Sequence, residues 1–407
     1  MTVNIYAPTA SDALSADELA LYNLIMAYRA TAALDPIPLS ADLTLTAGRH
    51  VLDTAYNIWE PGLALPAGAN LHSWSDAPYL SDHSLAANMW NAPERLGTDY
   101  TSNGFEISAA GYGSVEAALA GWQGSPGHDA VIMNTGSWQN YDWNAIGVGV
   151  EFSGSGPYGG RIYHVWFGRT EDNDGAPEIL GTAGNDTMEA TTFADNINGL
   201  GGADTINGMD GSDTISGGAG NDHLTGGSSN ADLRDLIRGG DGNDAINGGF
   251  GNDELRGDAG NDTIEGGVGV DTVVGGTGND VLTGSAYSDL IFGGDGSDFI
   301  NGGFGFDRVN GGNGADRFYH AGAVGHAADW IQDFDPTEGD VLRYGGAAGA
   351  NDFQVNFADT ENAGSADIDE AFVIFRPTGQ ILWALIDGAA HDEIMLRIGG
   401  LEIDLLA

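Results

Sequence analysis

From Gly181 to Tyr319 an apolar residue recurs at every ninth position, as the eighth member of a unit that reads G-G-x-G-x-D-x-U-x with U apolar. The units Gly217 to Thr225, Gly239 to Asn247 and Gly275 to Thr283 keep the pattern in full. The span holds fourteen nonapeptides and one thirteen-residue unit, Gly226 to Arg238, after which Asp244 restores the phase. This period predicts very short strands, each with one inward apolar side chain, separated by turns. Before the repeats the spacing is helical. Ser15-Ala-Asp-Glu18 is a capping box opening a helix through Arg29, a second helix is predicted from Leu43 through Tyr56, and a third from Val115 to Trp122. Ala145 to Phe152 and Arg161 to Phe167 alternate as strands, which makes this region α+β. After the repeats, Ala371 to Phe375, Gln380 to Ile386 and Ile394 to Ile398 read as strands and predict a β-rich cap over an open solenoid end.

Composition changes this picture in two ways. The 407 residues include 66 glycines, and 59 acidic residues face 13 basic ones, all Arg, for a net charge of −46. Such a field repels nucleic acid and anionic membranes, so neither is an expected partner. There is no cysteine, which excludes thiol catalysis and removes any need for oxidative folding. Met1 to Ala10 has no basic residue and no long apolar core, so it does not read as a signal peptide, and no window reaches the roughly 18 apolar residues of a membrane helix.

Each part of the repeat has a physical task. Glycines permit positive-φ turns, and the sixth-position aspartates stack in columns beside them. Carboxylates at strand-like spacing repel one another unless a cation lies between them, and a hard, oxygen-ligated ion such as Ca²⁺ fits, its shell completed by turn carbonyls. The expected calcium ligands are Asp186, Asp204, Asp213, Asp222, Asp244, Asp253, Asp262, Asp271, Asp280, Asp298, Asp307 and Asp316. Asp195 and Asp289 lie in units without the turn glycines, and Asp235 follows the insertion, so these three are set apart. A flexible Gly/Asp-rich linker would share the composition but not the fixed phase. Extracellular calcium modules bind at roughly 10⁻⁴ to 10⁻³ M, far above cytosolic free calcium, so this stretch is expected to be disordered inside a cell and to fold outside it.

The repeats resemble the repeats-in-toxin (RTX) family of secreted bacterial proteins, which implies a parallel β-roll with each ion held between turns. Ile331-Gln-Asp-Phe-Asp335-Pro-Thr-Glu-Gly-Asp340 is similar to the region after such repeats that carries an uncleaved C-terminal signal. That similarity implies the type I secretion machinery as a partner and an extracellular destination.

The N-terminal region has no H-E-x-x-H and no G-x-S-x-G. Leu21 to Arg29, Asn70-Leu-His72-Ser-Trp74, Gly104-Phe-Glu106-Ile and Trp122-Gln-Gly-Ser-Pro-Gly-His128, followed by Ile146 to Val150 and Tyr163 to Gly168, occur in the order seen in the CAP superfamily (SCP domain), which this region resembles. The resemblance implies an αβα sandwich in which two histidines and a glutamate, carried over as His72, His128 and Glu106, face a shared cleft. Two imidazoles can ligate Zn²⁺ while a carboxylate ligates or activates a bound water, so these residues are the catalytic and metal-site candidates. The family's G-E-N reads Gly104-Phe-Glu106-Ile here, and Ser125 stands where many members place a second glutamate, with Glu116 as a substitute and His83 as a rival ligand. His50 and His164 are expected to be structural.

The expected protein is multidomain: a CAP-like α+β domain over 1–175, a parallel β-roll over 176–319, and a β-rich cap and secretion region over 320–407. Three functions remain open. One is a secreted calcium-binding protein whose cleft binds a small ligand, lipid or peptide; the others are a peptidase-like, divalent-metal-dependent hydrolase and an extracellular adhesion or matrix protein.

Overall fold

The computed structural model describes residues 2–152, 157, 161–323, 326–360, 363–365 and 367–407. It divides into two compact units, Met1–Gly181 and Thr182–Ala407.

In the first unit, helix α1 (Ala16–Ala30) starts at the predicted capping box: Ser15 Oγ accepts from the Glu18 N–H, and Glu18 accepts from the Ser15 N–H at 2.7 Å. The other Glu18 oxygen accepts from the Val150 N–H at 2.8 Å, so the cap also fastens the helix to a strand. Helix α2 (Ala41–Leu52), capped by Ser40, continues into a π-helical stretch over Asp53–Trp59, where sequence spacing had predicted a single helix. Strands Phe105–Ala110, Arg161–Gly168 and Ala145–Phe152 form an antiparallel sheet with Arg161–Gly168 at its centre.

Two glycines let α2 lie directly on this sheet. A Cβ on Gly147 would fall 2.0 Å from the Leu43 carbonyl carbon, and one on Gly149 would fall 2.4 Å from that of Ala47. Leu43 and Ala47 share a buried cluster with Trp74 and Trp166. Gly147→Ala is therefore expected to cost the first unit about 1–3 kcal/mol through overpacking. Urea unfolding followed by tryptophan fluorescence measures it, and a midpoint equal to wild type would contradict the close approach.

The second unit is built on two parallel sheets. Successive repeats alternate between them, so residue i pairs with residue i+18, as Leu282 pairs with Ile300 and Ile291 with Val309. Across the insertion the step becomes 22 residues, as from Ile215 to Ile237. The eighth-position side chains meet in the interior: Leu224, Ile237, Leu255, Val273, Leu282 and Ile291 are fully buried. Neither sheet ends with the repeats. Asp329–Ile331 and Gln380–Leu385 extend one in parallel, followed by antiparallel Glu370–Phe375 and Phe353–Ala358; Val341–Tyr344 and Met395–Ile398 extend the other before antiparallel Leu401–Asp404. The acidic segment after the repeats closes the last turns. Asp333 accepts from the N–H groups of Gly311 and Gly312 at 2.8 and 2.7 Å, and Glu338 accepts from that of Gly314 at 2.9 Å. These are backbone donors that a further turn of the solenoid would otherwise satisfy.

Among the described residues no helix is long and apolar enough to cross a membrane.

Candidate functional site

The sixth-position aspartates form two continuous columns. In one, the N–H of each aspartate donates to Oδ1 of the aspartate one full turn on, from Asp186 to Asp204 at 2.8 Å and onward through Asp222, Asp244, Asp262, Asp280, Asp298 and Asp316. The other runs from Asp195 through Asp213, Asp235, Asp253, Asp271 and Asp289 to Asp307 with the same bond at 2.7–2.9 Å. The second oxygen is different. Oδ2 of every one of these aspartates from Asp204 to Asp316 is buried and has no hydrogen-bond partner. Thirteen buried, unpartnered carboxylate oxygens aimed along the turns are a cost that oxygen-seeking cations remove. Without a cation, burial and then neighbouring carboxylates push these groups up: Asp213 to about 8, Asp298 to about 7 and Asp316 to about 6.

Eleven of the twelve expected ligands share this geometry; Asp186 does not, because its Oδ2 accepts from the N–H and hydroxyl of Thr182. Asp235 and Asp289, whose units depart from the repeat, take up the same arrangement, while Asp195 leaves Oδ1 unpartnered instead, its Oδ2 being held by Thr191. In the unit of Asp289, Ser285 adopts φ of 81° in the strand ladder, as Leu200, Met209 and Asp258 adopt φ of 71–78° at the same position of their units, and Tyr287 adopts φ of 80° at the fourth position, which is glycine in most units; each costs about 1 kcal/mol or more of backbone strain. Two residues were missed. Asp340 ends the first column's hydrogen-bond ladder, its Oδ1 accepting from the Asp316 N–H at 2.9 Å, but like Asp186 it has no free Oδ2, which accepts from the Asp335 N–H at 2.8 Å; its signal lay in the aspartate that ends D-F-D-P-x-E-G-D. Asp232, inside the insertion, is buried with Oδ2 unpartnered, and its charge bears on Asp213, Asp235 and Asp253.

The first unit holds a second cluster, centred on Glu106. This carboxylate is fully buried and is met by three imidazoles: His50 Nδ1 at 2.7 Å, His72 Nδ1 at 2.9 Å, and His164 Nδ1. Ser108 Oγ lies 3.1 Å from His72 Nδ1 and 2.9 Å from His164 Nδ1. His50 is stacked between Trp74 and His164, at centroid distances of 4.2 and 4.0 Å, and its Nε2 is 3.2 Å from the Ser73 carbonyl. The π-helical turn fixes the loop that carries His72: Asp53 accepts from the Ser75 N–H at 2.6 Å and from its hydroxyl at 2.7 Å. Burial works to raise the Glu106 carboxyl, but the charges of His50 and His164 outweigh it and hold the group well below the usual carboxylate range. His164 is lowered to about 4, by burial first and by His50 next.

Of the three residues carried over by resemblance, His72 and Glu106 are hydrogen-bonded, and His128, at the start of a short helix over Pro126–Ile132, stands close enough for the His72 charge to add to burial in lowering it. One ring nitrogen each of His50 and His164 and one Glu106 oxygen lie within 4.8 Å of one another, the spacing of a metal-binding group. The two histidines expected to be structural are thus the closest partners of Glu106. Strand pairing brings His164 there, opposite Ser108 on the face that Glu106 shares, and the packing of α2 on the sheet brings His50. His83 turns to the Tyr79 hydroxyl instead, and Glu116 is exposed on the first turn of its helix. Beside the cluster, a cavity of about 400 Å³ is lined by Thr54, Ile58, Trp59, Leu65, Ala69, Asn70, Leu71 and Ser73, the residues on either side of His72 among them.

Residues 180–230 and 234–322, in overlapping segments, match the family of RTX calcium-binding nonapeptide repeats. The second unit therefore carries calcium-binding RTX repeats. No curated protein matches the chain.

Proposed function

We propose that this is a secreted, calcium-dependent RTX protein whose first unit, CAP-like by the resemblance of its motifs, binds a small ligand, lipid or peptide beside His72, while the roll makes folding conditional on leaving the cell. The cavity carries the ligand reading: Ile58, Trp59, Leu65 and Leu71 give it an apolar wall, and Thr54 and Asn70 supply a few polar groups, the usual make-up of a small-molecule site. Export through the type I secretion machinery rests on the similarity of the 331–340 segment. The same segment's closure of the last turns is compatible with that role.

A specific observation favours a second reading, a divalent-metal hydrolase. Glu106 is buried and engaged by three imidazoles, so it acts best as the carboxylate that orients His72 through Nδ1 and leaves Nε2 free for a metal such as Zn²⁺ shared with His128. Metal analysis of the purified protein separates the two readings. The hydrolase reading predicts one transition-metal ion per chain, lost in both His72→Ala and His128→Ala. The ligand reading predicts no such metal, and an apolar molecule recovered by extraction and mass spectrometry that is displaced when Leu71→Trp fills the cavity. An empty cavity across several preparations would remove the ligand reading.

A further inference from the structure

We infer that the first unit holds a calcium site of its own at Asp42, Asp99 and Asp174, beside the start of α2. One carboxylate oxygen from each of these residues lies within 4.8 Å of the other two. Asp172 joins them in the short acidic loop Asp172-Asn-Asp174-Gly175, with its Oδ1 accepting from the Asp174 N–H at 3.0 Å. Among the described residues none of the three forms an ion pair with an arginine or histidine.

Capping of α2 does not account for this convergence, because the helix end is already complete. The N–H of Ser40 donates to the Ile146 carbonyl at 2.9 Å, that of Ala41 to the Gly175 carbonyl at 2.9 Å, that of Asp42 to Asp172 Oδ2 at 3.0 Å, and that of Leu43 to Ser40 Oγ at 3.0 Å, while Thr44 makes the first intrahelical bond, to the Ser40 carbonyl. The four donors an α-helix leaves open at its start are therefore all satisfied, with Asp172 as the only carboxylate used. Asp42 is 5% exposed, and its Oδ2 is buried with no donor to accept from, its side chain lying within hydrogen-bond reach of the Asp99 carboxylate. A buried carboxylate oxygen facing two further carboxylates is unfavourable on desolvation and on Coulomb grounds alike, and a cation reverses the sign of both. The donors are all oxygen, which selects a hard ion. Three carboxylates on a helix and two loops suit the flexible shell of Ca²⁺ better than the strict octahedron of Mg²⁺, which keeps most of its waters.

This site depends neither on the roll nor on the His72 cleft, and it is tested on the full chain by hydrogen–deuterium exchange with calcium or chelator. At a calcium concentration ten times the dissociation constant, local opening at 41–44 and 172–175 is expected to fall about tenfold. Asp174→Asn, on an exposed residue, is expected to abolish that protection while calcium still protects peptides from 205 to 319. Asp42→Asn should raise the melting temperature of the first unit in chelator and remove its response to calcium. Wild-type exchange at 41–44 and 172–175 that ignores calcium, or full protection retained in Asp174→Asn, would overturn the inference. A failure of the roll to bind calcium would appear separately, in the 205–319 peptides.

Discussion

Chelating calcium at pH 7.5 is expected to abolish most of the β-sheet circular dichroism while the helical signal of the first unit survives. The roll's interior is a single file of apolar side chains per sheet, whereas its turns bury thirteen unpartnered carboxylate oxygens. Each ion held at ten times its dissociation constant contributes about 1.4 kcal/mol, and a dozen such sites together exceed the roughly 5–15 kcal/mol of net stability typical of a domain. The columns share aspartates between neighbouring turns, so refolding by added calcium should be steep in calcium concentration. A shallow titration, or β-structure that ignores the chelator, would count against an ion-built roll.

Acid should replace calcium. Asp213, raised to about 8, and Asp253 and Asp298, raised to about 7, all stand above the ordinary value of 3.8, with burial as the first cause. The calcium-free fold thus retains protons that the unfolded chain releases, so its stability is greatest near pH 4 and falls as the pH climbs through about 8. These turns are partly open to water, which weakens the effect without changing its sign. At pH 5 the chelated protein should keep its roll, at pH 7.5 it should lose it, and calcium uptake near pH 6.5 should release protons. Chelated protein that grows more stable from pH 5 to 7.5 would reverse the sign and refute this balance.

The repeats were legible because their signal is redundant: period, glycine placement and a single apolar position all agree, and pairing at i+18 follows from the unit length. What escaped were departures that neighbouring turns correct. Ser285 and Tyr287 lack the glycine freedom that sequence rules require, yet the parallel ladder holds Ser285 in its conformation, and the Asp289 N–H still reaches Asp307 in its column. Asp340 escaped because its spacing of 24 residues from Asp316 breaks the period while keeping the hydrogen bond. In the first unit, three helices and two strands followed from spacing, but the strand Phe105–Ala110 that carries Glu106 did not, and the Glu106 cluster depends on which strand faces which. His50, from α2, and His164, from the central strand, meet Glu106 only through tertiary packing, and single-element periodicity carries no trace of that.

The most direct test of the central claim, that calcium completes both aspartate columns, is long-wavelength anomalous diffraction from crystals of the calcium-loaded protein. Anomalous peaks are expected beside Oδ2 along both columns, including those of Asp235 and Asp289. An ordered roll with no peaks at these oxygens, or with one column bare, would contradict it.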